Sequence, residues 1–361
     1  VSRSKPAGSD PWTAAADRAL AQASAAVRFL AAATPVNLTS ELDRLREVWS
    51  GPRREPPRFE YVPRLPPEGL TAALGRMGDE LEQAGPLGRL YAARARELSH
   101  EAVLCALVGD PGFHAAARRR YAPRDRFDAA ADALAAAWLN DGVPRDEASS
   151  ELVRSDDASD PRSLLARMRQ EIARHRLDLR ALPLREMAAL AATGDGVILI
   201  AAERMLAIRD IERTVLHEIE GHALPRQRAA GARLGIYATG TARGSDDQEG
   251  RALAIERRAG FLVGLRRREL ALRHVAARSV EQHADFVETM ALLEPHSGSL
   301  QQRLSIAARV HRGGGLAREC VYLPALLRVE AALGADPSLD EVLASGRVAV
   351  DAVGVLRAIS T

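Results

Sequence analysis

Residues 213–222 read Arg-Thr-Val-Leu-His-Glu-Ile-Glu-Gly-His, and within them His217, Glu218 and His222 carry the most specific chemistry in the chain. Two imidazoles on one helix can hold a divalent metal, and a glutamate beside the first can take a proton from water. Together they predict metal-assisted hydrolysis. Such imidazoles usually stand four residues apart, about 40° round the helix axis, whereas five residues correspond to about 140°. A regular α-helix therefore cannot aim both rings at one ion. Either a π-type bulge absorbs the extra residue, or the helix ends and His222 reaches back from its C-cap, and Gly221 suits both devices. Two imidazoles also need a third protein ligand, commonly a carboxylate from a later helix. Asp246, Asp247, Glu249 and Glu256 are the candidates, in or just before a helical stretch running from Gln248 through Ile255 to Leu265.

Several elements must position these residues. Val197-Ile198-Leu199-Ile200, after Gly194-Asp195-Gly196, is the clearest strand and leads almost at once into the histidine helix. Leu164 to Leu177 reads as a helix, as does the alanine-rich stretch 12–33 with Leu20, Val27 and Leu30 on one side. Prolines at 35, 56, 57 and 63 predict an extended stretch lying along a helical body. From about 68 to 140 the pattern is helical again, with breaks at Gly85-Pro86, Gly109-Asp110-Pro111 and Pro123. The polar stretch 141–162 predicts a linker or loop between an N-terminal, mostly helical region, 12–140, and a catalytic region, 163–361.

Composition narrows the function classes. Hydrophobic residues make up 47% of 361 residues and aromatics only 4%, which favours packed helices over an aromatic-rich sandwich. The net charge of +2 creates no field for nucleic acid or an anionic membrane, and the run Arg118-Arg119-Arg120 reads as a solvated helix end. Lys5 is the only lysine, so any fixed cation on the folded body is an arginine. Cys105 and Cys320 form neither a disulfide framework nor a paired metal spacing, which suits a reduced, cytoplasmic setting. Neither a signal peptide nor a membrane span is expected.

His217-Glu218-x-x-x-His222 with Gln248-Glu249-Gly250-x-Ala252 resembles the HExxxH metallocarboxypeptidase family. That family includes the microtubule-associated tyrosine carboxypeptidases and the bacterial flavohaemoglobin expression-modulating QEGLA-motif proteins. Pro35-x-Asn37 with Glu41, and Pro57-Arg58-Phe59-Glu60-Tyr61-x-Pro63, are similar to its amino-terminal signatures. Arg309-Val310-His311-Arg312-Gly313-Gly314, followed by Arg318-Glu319-Cys320-Val321-Tyr322-Leu323, is similar to its carboxy-terminal one. Three features depart from the pattern, since Arg251 stands where the family has Leu and Arg318-Glu319 where it has Lys-Asp, and the loop between Arg312 and Arg318 is short and glycine-rich.

The resemblance implies an α+β, predominantly helical, zincin-like (gluzincin-type) metallopeptidase with a small sheet beside the active-site helix. It selects Glu249 as third ligand, giving one Zn²⁺ per chain on His217, His222 and Glu249, with a ring nitrogen, Nε2 or Nδ1, of His217. Glu218 then activates the metal-bound water for attack on the peptide carbonyl. Tyr322 and His311 are candidates to stabilise the oxyanion, and the strand 197–201 to pair with the substrate backbone as an edge strand. A carboxypeptidase also needs a cation for the terminal carboxylate, for which Arg312 and Arg318 come first and Arg243 next. The expected substrate is the C-terminus of a peptide or protein, its last residue aromatic or acidic, with no nucleic acid or membrane partner. Alternatives are trimming of a modified precursor peptide and a non-catalytic zinc-binding regulator.

Overall fold

The computed structural model describes residues 11–123, 125–141, 151–185, 187, 189–194 and 196–360. The chain opens with helices α1 (Pro11–Ala26), α2 (Phe29–Ala32), α3 (Leu38–Ser50), α4 (Leu70–Leu81), α5 (Gly85–Ala106), α6 (Phe113–Tyr121) and α7 (Arg126–Asn140). The breaks fall where Gly85-Pro86, Gly109-Asp110-Pro111 and Pro123 place them. Between the proline-marked pieces at 35–37 and 56–63 the chain forms helix α3, where Leu38, Leu42, Leu45 and Trp49 recur at helical spacing, and the residues after it form the proline-rich strap.

Short strands and a helix follow: β1 (Leu152–Arg154), α8 (Leu164–Arg174), β2 (Arg180–Leu184), β3 (Ala191–Thr193), β4 (Val197–Ala201) and β5 (Met205–Ala207). Of the polar stretch 141–162, residues 142–150 lie outside the described residues, as do Arg3 and Lys5 at the N-terminus and Asp195 before β4. Strands β1 and β5 pair antiparallel, and a second sheet has the order β2-β4-β3, with β2 parallel and β3 antiparallel to β4. The strand at 197–201 is therefore the central one, hydrogen-bonded on both sides, and cannot be the edge that receives a peptide. Ile198 and Ile200 turn into the core, while Val197 and Leu199 on the other face are half-buried. The outer edge nearest the histidine helix belongs to β3.

From β5 the chain enters one continuous helical rod: α9 (Ile208–Leu216), a π-helix (His217–Ala223) and α10 (Leu224–Ala230). Next come α11 (Ile236–Thr239), α12 (Gly244–Arg258), α13 (Gly264–Glu281), α14 (Phe286–Leu293), α15 (Leu300–Gly315), a 3₁₀ turn (Arg318–Val321), α16 (Tyr322–Ala335), α17 (Leu339–Leu343) and α18 (Val353–Ser360). The helix expected to run to Leu265 stops at Arg258, and the chain reverses at Gly260 into α13.

Three apolar clusters hold these elements. One joins α1, α4, α5 and α6 to residues 229–237 and to the C-terminal α18. A second packs α7 and α12 to α16 together. The third buries Ile198 and Ile200 of β4 against Leu164, Leu165 and Met168 of α8 and against Ile211, Val215, Ile219 and Ala223 of the rod. The histidines sit where this third cluster meets α12. The fold is mostly helical with small sheets, as expected, and among the described residues no helix is long and apolar enough to cross a membrane.

Candidate metal centre

In the π-helix one extra residue enters the turn, so residues five apart come to one face. Of the two devices open to the sequence, this is the one the chain uses. It brings the His217 and His222 rings to 5.1 Å between centroids and their Nε2 atoms to 3.2 Å. The third group arrives on α12, which crosses the π-helix at Gly221. A Cβ on Gly221 would lie 2.6 Å from Cβ of Ala252, so the crossing needs glycine for its closeness. Glu249, one turn before Ala252, then places Oε2 at 3.6 Å from His217 Nε2 and 3.7 Å from His222 Nε2.

These spacings fit zinc. Donors at bond lengths of about 2.0–2.2 Å on a tetrahedron stand roughly 3.3–3.6 Å from one another, close to the three separations here. His217 offers Nε2 to the triad because its Nδ1 lies 2.7 Å from Oε1 of Glu256, a fully buried carboxylate that Arg266 also grips at 2.9 and 3.0 Å. Glu256, weighed above as a ligand, thus stands behind the imidazole and orients it. Asp246 and Asp247 are committed below α12, to Arg120 at 2.9 Å and to Arg328 at 2.9 Å. Arg120 itself is buried, against the expectation of a solvated helix end for Arg118-Arg119-Arg120.

The local electrostatics favour a cation among the three donors. Burial works to lower the His217 pKa, but Glu249 and Glu256 outweigh it and push the ring up to about 9. Burial likewise opposes charge on Glu249, yet His217, His222 and Arg318 hold its carboxyl well below the usual carboxylate range. Among the described residues, His217, His222 and Glu249 form the group of side chains placed to share one metal ion.

Glu218 turns from the same helix toward β3, where the Thr193 hydroxyl donates to its Oε2 at 2.7 Å. Thr193 was invisible in the sequence, since Ala191-Ala192-Thr193 has no strand pattern that sets it apart. Arg318 donates through Nη2 to Oε1 of Glu249 at 3.4 Å and through Nη1 to the Tyr322 hydroxyl at 3.0 Å, which links both residues to the triad. The Tyr322 ring also lies under the Arg273 guanidinium, 4.7 Å from its centroid.

His311 and Arg243 face elsewhere. His311 shares a hydrogen bond with Thr289 at 2.9 Å, packs edge-on against Phe286, and burial pushes its pKa down to about 4. Its ring is engaged with α14. Arg243, in a left-handed conformation at the N-cap of α12, pairs with Asp125 at 3.3 Å and reaches Asp351 at 3.7 Å. Arg312 is buried beside Arg309 and Arg318 on the turn that ends α15.

Behind the π-helix, Arg251 donates to the carbonyl of Glu220 at 3.0 Å and pairs with Asp340 of α17 at 2.8 Å. The departure from the family's Leu thus ties the widened turn to the C-terminal helices. A cavity of about 1040 Å³ opens on that side, lined by Leu216, Glu220, Tyr237, Arg251 and Asp340 and by none of the three convergent donors.

Residues 49–361, nearly the whole chain, match the family described as microtubule-associated tyrosine carboxypeptidase. Comparison with curated proteins returned no match.

Proposed function

The chain belongs to the microtubule-associated tyrosine carboxypeptidase family, and we propose that it is a zinc-dependent carboxypeptidase of zincin-like build that removes the last residue of a peptide or protein. The observation that carries this reading is the convergence of His217, His222 and Glu249 at zinc-like spacing, with the Glu218 carboxylate on the adjoining residue of the same helix.

These three residues would hold the ion, which when bound would supply Lewis acidity toward a peptide carbonyl. Glu218 takes the proton of the attacking water and returns it to the departing amine. Thr193 holds one oxygen of that carboxylate and leaves the other to work. The Tyr322 oxygen accepts from Arg318, so its own hydrogen is directed away from Arg318 and can be donated to the carbonyl oxygen as charge develops there. The outer edge of β3, which also carries Thr193, is the backbone partner for an extended substrate. An aromatic or acidic last residue is the substrate preference of this reading.

The test is to incubate the purified protein with peptides differing only in their last residue and to follow mass loss. Loss of a single C-terminal residue is expected, suppressed by a chelator and restored by zinc. Internal cuts, or shortening indifferent to the chelator, would overturn the reading. A second outcome tests the metal site alone. Glu256→Gln keeps the shape beside His217 but removes the charge that orients the imidazole, so zinc affinity in chelator competition is expected to fall about 10- to 100-fold. Unchanged affinity in the folded variant would count against the assigned ligand geometry.

A further inference from the structure

The arginines around the centre are matched with carboxylates, with one exception. Arg273 and Arg309 grip the two oxygens of Glu319 at 2.6 and 2.7 Å, Arg318 reaches Glu249, and Arg266 holds Glu256 and Glu269. Arg312, with 9% of its surface exposed, makes no side-chain hydrogen bond among the described residues, and its Nε is buried without a partner. Burial together with the neighbouring Arg309 and Arg318 charges pushes its pKa down to about 10. A buried unpaired cation is costly, and native chains retain one where a ligand completes it.

The backbone under Arg312 is fixed from three sides. Arg312 leaves the helical conformation of α15 with ψ 151, and Gly313 to Gly315 follow at φ 72, 113 and 109, the left-handed region open to glycine. The Gly313 N–H donates to the Tyr61 hydroxyl at 2.7 Å and its carbonyl accepts from Gly109 N–H at 2.9 Å. A Cβ on Gly313 would come within 2.6 Å of the Phe113 ring. Tyr61 is carried by the proline-rich strap, which α3 and its N-cap pin in turn: Asn37 bonds the backbone of Arg58 and Glu60 at 2.9 Å each, and Glu41 accepts from Arg58 N–H at 2.7 Å. The amino-terminal signature residues thus hold the turn that aims the arginine.

We propose that Arg312 is the receptor for the main-chain carboxylate of the substrate's last residue, its unpaired guanidinium fork completed by the two carboxylate oxygens. Arg318 is bound to Glu249 and Tyr322, and Arg243 to Asp125, so neither has a free fork to offer. The assignment rests on the carboxypeptidase reading for its substrate, but its test does not require turnover.

Binding is measured by fluorescence anisotropy in the zinc-loaded Glu218→Gln chain, with three labelled peptides. One ends in tyrosine with a free carboxylate, one in tyrosine amide, and one in glutamate amide, whose only terminal-residue carboxylate is in the side chain. The free acid is expected to bind about 100-fold more tightly than either amide. Arg312→Met should abolish that difference, Arg312→Lys should restore part of it, and Arg312→Met should retain zinc with an unchanged or raised Tm, since it removes an unpaired buried charge. Retention of the free-acid preference in Arg312→Met would overturn the proposal, as would joint loss of zinc and Tm there. Binding of the glutamate amide as tightly as the free acid would overturn it in favour of a side-chain receptor. Should the unaltered zinc-loaded chain shorten none of the peptides while free-acid binding still depends on Arg312, the assignment stands and the peptidase reading falls.

Discussion

A Glu218→Gln substitution is expected to lower kcat about a thousandfold while zinc content stays that of the unaltered chain. The two halves of this result separate the base from the ligands. Glu218 is buried, and one of its oxygens accepts from Thr193. A glutamine has the same length and can keep the Thr193 bond through its own carbonyl oxygen. What it lacks is basicity, so proton transfer stops while packing and metal ligation persist. Single-turnover mass spectrometry with parallel metal analysis reads both. Full activity in the variant would remove Glu218 from the mechanism, and loss of zinc would make it a ligand instead. Because Thr193 acts through Glu218, adding Thr193→Val to Glu218→Gln should cost nothing further, as expected of residues that work as a unit.

The part of this site legible in the sequence was the part written in consecutive or nearly consecutive residues. His217, Glu218 and His222 announce themselves because the chemistry demands those types close together, and the misfit of five residues already implied a widened turn or a helix end. Choosing Glu249 over Asp246, Asp247 and Glu256 needed the motif, because all four lie on or beside one helix. Their separate roles arise from partners far along the chain: Arg120 for Asp246, Arg328 for Asp247, and His217 with Arg266 for Glu256. Arg312 stood out by its motif, but that it lacks a partner while Arg318 does not is a fact of three dimensions only.

Two features of the fold had signals that were present and outweighed. The unbroken Val-Ile-Leu-Ile run fits a central strand, yet the zincin-like resemblance implied an edge strand that receives the substrate. Leu38, Leu42, Leu45 and Trp49 mark α3 plainly, and the prolines on either side of them suppressed it. Thr193 had no signal at all. Its role follows from β3 pairing with β4 in a register that sets Thr193 opposite Ile198, which no local pattern specifies.

Gly221→Ala is expected to damage the centre without touching a ligand. Backbone freedom is not what this glycine supplies, since it lies inside a continuous helical rod and not among the residues with positive φ. Its requirement is steric: the added methyl would sit 2.6 Å from Cβ and 3.3 Å from Cα of Ala252, where ordinary contact begins near 3.4 Å. Neither helix has a flexible side chain to yield at that point, so the two backbones must separate, at a cost of about 1–3 kcal/mol. The same separation moves Glu249, which rides on α12, away from the imidazoles on the π-helix. A Tm loss should therefore come with zinc affinity weakened by at least about tenfold, since metal sites tolerate only about 0.5 Å of displacement. Moving the methyl across the interface tests the cause. Ala252→Gly in the Gly221→Ala chain restores the room, so the double variant should recover most of the zinc affinity, although Ala252→Gly alone costs about 1 kcal/mol in a helix interior. Additive losses in place of recovery would show that Gly221 acts through its own backbone and that the closeness of the two helices does not set the ligand spacing.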